Sequence, residues 1–156
     1  MALSKIDGTN FIEGTVPSTV APGAGKVLQV VSVTSTAQQT TTSGTYVAST
    51  GFTASITPSS TSSKILVSVM SNIRSSADAS YTLYRGATNL AGSGSFVQIY
   101  AGGADIRQLM TINYLDAPST TSATTYTLYF LAGAGTAYIN QESDRQGQII
   151  LTEIGG

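Results

Sequence analysis

One hundred and fifty-six residues, with seven Lys and Arg against eight Asp and Glu for a formal charge of −1, fit one domain that can bury a core without staples. The chain holds no Cys, His or Trp, which removes thiolate nucleophiles, disulfides, the common zinc ligands and every histidine-based triad. Near-neutral charge leaves no electrostatic footprint for nucleic acid or an anionic membrane, and 44 Ser and Thr supply the polar surface where charged residues are only 10%.

Residues 1–25 differ from the rest. Asp7-Gly8, Glu13-Gly14, Pro17 and Pro22-Gly23 interrupt any long period, while Ile6, Phe11, Ile12, Val16 and Val20 are scattered between them. A disordered tail is usually poor in such apolar residues, so this segment reads as an extended arm that docks either on its own trimer or on a neighbouring protein, and 26–156 reads as the folded domain. No apolar stretch of signal-peptide type opens the chain and no run approaches the ~18 residues of a membrane span, so it is expected to be made in a cytosol and to stay soluble.

From Lys26 the texture becomes short β-branched and aromatic runs separated by Ser, Thr, Gly and Pro, the pattern of an all-β sandwich or barrel with about eight strands. Lys26–Thr34 is the first. Tyr46–Ser49 and Phe52–Thr57 form a second, broken at Gly51 by a bulge and stopped by Pro58. Lys64–Arg74 is the cleanest, with Ile65, Val67, Val69 and Ile73 on one parity and Leu66, Ser68, Met70 and Asn72 on the other.

Ser80–Arg85 leads into a hairpin loop at Gly86-Ala87-Thr88-Asn89, and Ser95–Tyr100 follows Gly92 and Gly94. Ala104–Met110 has the best helix propensity in the chain and is expected to add one turn before the strand Arg107–Leu115. Thr125–Ala132, Thr136–Asn140 and Gln148–Ile154 complete the set. In the last of these both parities are apolar, with Ile149 and Leu151 on one and Ile150 and Ile154 on the other, so one face must cover something besides the domain's own core. Ile149 and Leu151 are the expected subunit-interface residues, and burial under the chain's own arm is the alternative.

No constellation carries chemistry. Gly23-Ala24-Gly25-Lys26 lacks the Ser or Thr and the helix of a phosphate loop, because Val27 begins a strand. Seven of the eight carboxylates fall in the arm or in loops, and nothing pairs two of them as a glycosidase requires. Loop carboxylates near Glu142, Asp144 and Asp105 leave a calcium site open, against the simpler reading of solvated charges and local pairs such as Asp144 with Arg145. Catalytic residues, a metal site and a cofactor are therefore not expected. The strand tyrosines are expected to be buried in the core or at interfaces, and a glycan platform is the competing reading.

At Gly25–Val33 (GKVLQVVSV), then Ile56–Val67 (ITPSSTSSKILV), Leu115-Asp116-Ala117-Pro118 and the closing Ile149–Ile154 (IILTEI), the chain resembles a family of small virion proteins of tailed bacteriophages, especially those of marine bacteria and cyanobacteria. The resemblance spans about Gly25 to Ile154. It implies an antiparallel, jelly-roll-like β-sandwich that assembles as a homotrimer on the external surface of a virion put together in the host cytoplasm. Such domains occur as capsid decoration (cement) proteins that bind the major capsid protein or another virion protein, and as tail-fibre or appendage tips that bind host-receptor glycans. The 1–25 arm without a shaft favours decoration, with Ile6, Phe11, Ile12 and Val16 docking on the capsid or a neighbour; the alternative tip would use loops near 75–79 and 141–147.

Overall fold

The computed structural model describes residues 25–141 and 145–156. Ile6, Phe11, Ile12 and Val16, and the loop carboxylates Glu142 and Asp144, lie outside the described residues. Eleven strands run through the described chain: β1 Val27–Ser35, β2 Gln39–Thr41, β3 Val47–Ile56, β4 Lys64–Ser75, β5 Ala79–Arg85, β6 Thr88–Asn89, β7 Val97–Ile99, β8 Ile106–Asp116, β9 Thr124–Ala132, β10 Ala137–Ile139 and β11 Gly147–Ile154.

They form two antiparallel sheets. In the first, the long strands lie in the order β1, β11, β4, β8, and the short β2 and β10 extend it along the far half of β4. In the second the order is β3, β9, β5, with β6 and β7 sharing the outer edge of β5. Eight principal strands, four in each sheet, with β11 seated between β1 and β4, make a jelly roll. The expected all-β sandwich is the observed one, and β2, β6 and β10 are short additions to its eight main strands.

Period-two patterning decides which side chains meet. Ile65, Val67, Val69 and Ile73 of β4 and Ile149 and Leu151 of β11 face Phe52, Ala54 and Ile56 of β3, Leu83 of β5, and Leu128 and Phe130 of β9 in a single buried cluster. Gly51 does mark a bulge: β3 is one strand whose register against β9 shifts between Ala48 and Thr53. A Cβ at Gly51 would run into the Ser35 hydroxyl.

The helical turn expected at 104–110 is absent. Ala104 N–H closes a turn onto the Ala101 carbonyl at 2.8 Å, and β8 begins at Ile106 because every residue from there to Asp116 pairs with β4. Cross-strand pairing overrides helix propensity along that run. The short strand β2 went unread because Gln39-Thr40-Thr41 carries no apolar residue and pairs only with β10.

Two tyrosines tie the layers together, and one asparagine ties strands within the first sheet. Tyr81, buried on β5, reaches across the core and donates to the carbonyls of Tyr138 at 3.1 Å and Arg74 at 3.3 Å. Tyr126 does the same at the other end with Asp116 of β8, at 2.6 Å. Asn140 closes the gap where β10 gives way to β11. Its Nδ2 donates to the Ser35 carbonyl at 2.7 Å, its Oδ1 accepts from Ser71 Oγ at 3.1 Å, and its φ of 49° is a left-handed backbone that Asn tolerates better than most residues.

Candidate functional site: the outer face of the first sheet

Two buried carboxylates anchor polar clusters that hold the fold. Asp116, 6% exposed at its side chain, accepts from Arg85 Nη1 at 2.8 and 2.9 Å and from Tyr126 Oη. Burial and the neighbouring carboxylate push the Tyr126 phenol far above its ordinary pKa, so it stays a donor. Glu153, fully covered near the rim, accepts from Ser59 N at 2.7 Å, Ser59 Oγ at 2.6 Å and Gln29 Nε2 at 2.6 Å. Burial works to raise its pKa, but these hydrogen bonds outweigh it and leave the carboxyl at about 2.

At the opposite end Asp105 pairs with Arg74 at 2.7 Å, and Arg107 lies at 3.6 Å, so guanidinium groups meet this carboxylate. Among the described residues no three His, Cys, Asp or Glu converge as metal ligands, and no helix is long and apolar enough to cross a membrane. In the 75–79 loop, one of the two expected to touch a glycan, polar side chains are similarly occupied. Ser75 Oγ donates to the Ala77 carbonyl, Ser76 Oγ accepts from Thr136 N at 2.9 Å, and Asp78 Oδ1 accepts from Ala101 N at 3.2 Å.

What the fold leaves open is a surface. The side chains of β1, β11, β4 and β8 that point away from the core make a four-strand face with eight aliphatic or methionine residues on it. Leu28 and Val30 come from β1, Ile150 and Ile154 from β11, Leu66 and Met70 from β4, and Leu109 and Leu115 from β8. Cross-strand register sets Leu66 between Thr152 and Leu115, and Met70 between Gln148 and Thr111. Val30 and Leu109 are each 58% exposed and Leu115 49%. The register shift between Val27 and Gln29 adds Val27 beside Ile154.

Hydroxyls and amides fill the middle of this face around a shallow depression lined by Ser68, Met70, Thr111, Asn113, Gln148 and Ile150. Among the described residues, charges stand at its ends, Lys64 at one and Arg74, Arg107, Arg145 and Asp105 at the other. Four strands about 4.8 Å apart and some eight residues long give the whole face roughly 500 Å² in projection, of which the aliphatic and methionine side chains make up a part.

The two residues expected at an interface are not on this face. Ile149 and Leu151 are both 0% exposed and belong to the sandwich core, because β11 is an interior strand whose inner parity is Ile149, Leu151 and Glu153. The outward parity, Gln148, Ile150, Thr152 and Ile154, is the one left for a partner. Most strand tyrosines are buried or half-buried as expected, with Tyr84 and Tyr129 stacked at 3.9 Å between centroids. Tyr100 is the exception, 71% exposed just after β7. The outward leucines of β8 were missed as site residues, although Leu109 and Leu115 share a parity that could have marked them.

Compared with known proteins, the chain matches no protein-family model and no curated protein.

Proposed function

We propose that this protein is a non-enzymatic structural component on the exterior of a tailed-phage virion, a homotrimeric capsid decoration protein that binds the major capsid protein and stabilises the head lattice. The observation that supports an assembly role is the outer face of the β1, β11, β4, β8 sheet: a broad, weakly charged surface studded with exposed aliphatic and methionine side chains that no described part of the chain covers. Such a surface binds by burial, needs no cofactor, and gains strength when three copies act together. The phage setting and the number three come from the sequence resemblance. In this reading the arm, with Ile6, Phe11, Ile12 and Val16, is the docking segment.

Exposed Tyr100, beside Gly102 and Gly103, favours the alternative of a glycan-binding tail-fibre or appendage tip. A density map of intact particles carrying the protein separates the two. Threefold density distributed over the head lattice is the expected result. Density confined to the tail would overturn decoration in favour of adhesion, and absence from particles would overturn both.

A further inference from the structure

We infer that Tyr84 and Tyr129 form an oxidative cross-linking site: under one-electron oxidants their phenols couple into a dityrosine that joins β5 to β9 within one chain. The inference stands apart from the assembly reading above. It rests on the contact between the two rings and on what the other tyrosines touch.

Tyr84 pairs with Thr127 and Thr82 with Tyr129, so the two tyrosines are diagonal neighbours across β5 and β9, an offset that large rings can bridge. Their centroids lie 3.9 Å apart with 25° between the planes, which is van der Waals contact of ring on ring. Leu83, Leu128 and Phe130 take the core parity of these strands, and Tyr84 and Tyr129 stand on the outer side, partly exposed. Solvent can therefore take the proton that each phenol gives up.

All eight tyrosines are among the described residues, and the other six are placed less well for coupling. Tyr46 meets Tyr84 edge-on at 6.2 Å and 62°, with its hydroxyl donating to the Gly94 carbonyl at 3.2 Å. Tyr81 stacks on Phe130 and Tyr114 leans on Phe96, rings that offer no second phenol. Tyr126 donates to Asp116, and Tyr138 lies under the Arg74 guanidinium at 4.8 Å. Tyr100, 71% exposed, is open to coupling between molecules.

Composition directs an oxidant to these phenols. The chain has no Cys, His or Trp, and its three methionines take up an oxygen atom as sulfoxide, so tyrosine is the side chain that gives up single electrons. Two equivalents of a one-electron oxidant, a radical or a high-valent metal complex, remove one electron from each phenol while each proton passes to water. The two radicals join through the carbons ortho to their oxygens. The hydrogen on each of those carbons then moves to the oxygen and restores the phenol, so the product lacks two hydrogens. Because the rings already touch, the coupling is intramolecular, and side-chain motion on the ps–ns scale brings the ortho carbons together. The bond ties position 84 to position 129 and restricts the unfolded chain as a disulfide would, in a protein that has none.

The test is to illuminate the full-length protein with tris(bipyridyl)ruthenium and persulfate, separate single chains from linked ones on a denaturing gel, and map the cross-links by mass spectrometry. The expected result is dityrosine fluorescence in the single-chain band, carried by a linked Tyr84 and Tyr129 peptide. Tyr84→Phe and Tyr129→Phe keep a ring at each position, fold by circular dichroism, and should each lower the single-chain yield about fivefold or more, while Tyr46→Phe leaves it unchanged. The linked protein should melt about 10 °C above Tyr84→Phe protein treated in the same way. Dityrosine carried mainly by Tyr46 or Tyr100, links only between chains, or an undiminished yield in both Phe variants would overturn the inference. A linked product that melts no higher would overturn the restriction of the unfolded chain.

Discussion

Replacing Asp116 with Ala should be among the costlier single changes in the domain, and the structure says how the cost divides. The carboxylate receives one short hydrogen bond from Tyr126, itself 0% exposed, and two from Arg85, whose side chain is 31% exposed. Removing it strands the Tyr126 hydroxyl in a site that water does not reach, a loss of about 1–3 kcal/mol. Arg85 can regain water, so its share is nearer 1 kcal/mol. The sum, about 3 kcal/mol, is a large part of a typical stability of about 5–15 kcal/mol and corresponds to a fall in Tm of about 6–12 °C for a chain of this size. Tyr126→Phe removes the donor but leaves the Arg85 pair, and should cost only about 1–1.5 kcal/mol. The double variant has no stranded hydroxyl, so its loss should fall short of the sum of the two by about 1 kcal/mol or more. Urea unfolding of the four proteins followed by circular dichroism measures the cycle. Additive losses, or an Asp116→Ala cost below about 1 kcal/mol, would refute the claim that this triad joins the two sheets.

Glu153→Gln should destabilise the domain by about 1–3 kcal/mol at neutral pH through loss of charge-assisted hydrogen bonds. Because the folded carboxyl titrates at about 2, below its ordinary value of 4.5, its contribution is complete above pH 4.5 and fades as pH falls toward 2. Unfolding curves across pH 2–6 should show this slope in the wild type and a shallower one in the variant. Leu151→Ala should cost about 2–5 kcal/mol in urea unfolding while leaving the oligomeric state by light scattering unchanged; lost assembly at full stability would put Leu151 back at an interface. Gly147→Ala should impair folding, since its Cβ would overlap the Phe52 ring and lie 2.6 Å from Asn140 Oδ1, and a melting temperature equal to wild type would contradict that packing. A protein trimmed to residues 25–156 should keep the far-ultraviolet circular dichroism of the whole chain; failure to fold would mean that the first 24 residues complete the core.

Local chemistry made most of the strands readable and their arrangement less so. In β4 the alternation of Ile65, Val67, Val69 and Ile73 with Leu66, Ser68, Met70 and Asn72 announces both the strand and its inner side. In β11 apolar residues fill both parities, and the row that holds Ile149 and Leu151 also holds Glu153. A carboxylate in that row suggests an outward side, but Ser59 and Gln29, distant in sequence, supply the hydrogen bonds that let it turn inward. The same distance hid the Asp116, Arg85 and Tyr126 cluster, whose members come from three strands in two sheets. The apolar outer face was half visible as the second parity of β4. Its extent depended on knowing that β8 and β11 flank β4, which period-two patterning does not encode.

The position of β11 bears on the order in which the domain can be built. It is the last strand among the described residues yet lies inside its sheet, with β1 on one side and β4 on the other. Until residues 147–154 are available, β1 and β4 share no hydrogen bonds and each presents a bare backbone edge. Closure therefore waits until residues 147–154 have been synthesised and then joins β11 to β1 across more than a hundred residues, a slow kind of contact. A nascent or clipped chain lacking those eight residues would be left as two open ribbons, the form in which β-rich chains pair wrongly with one another.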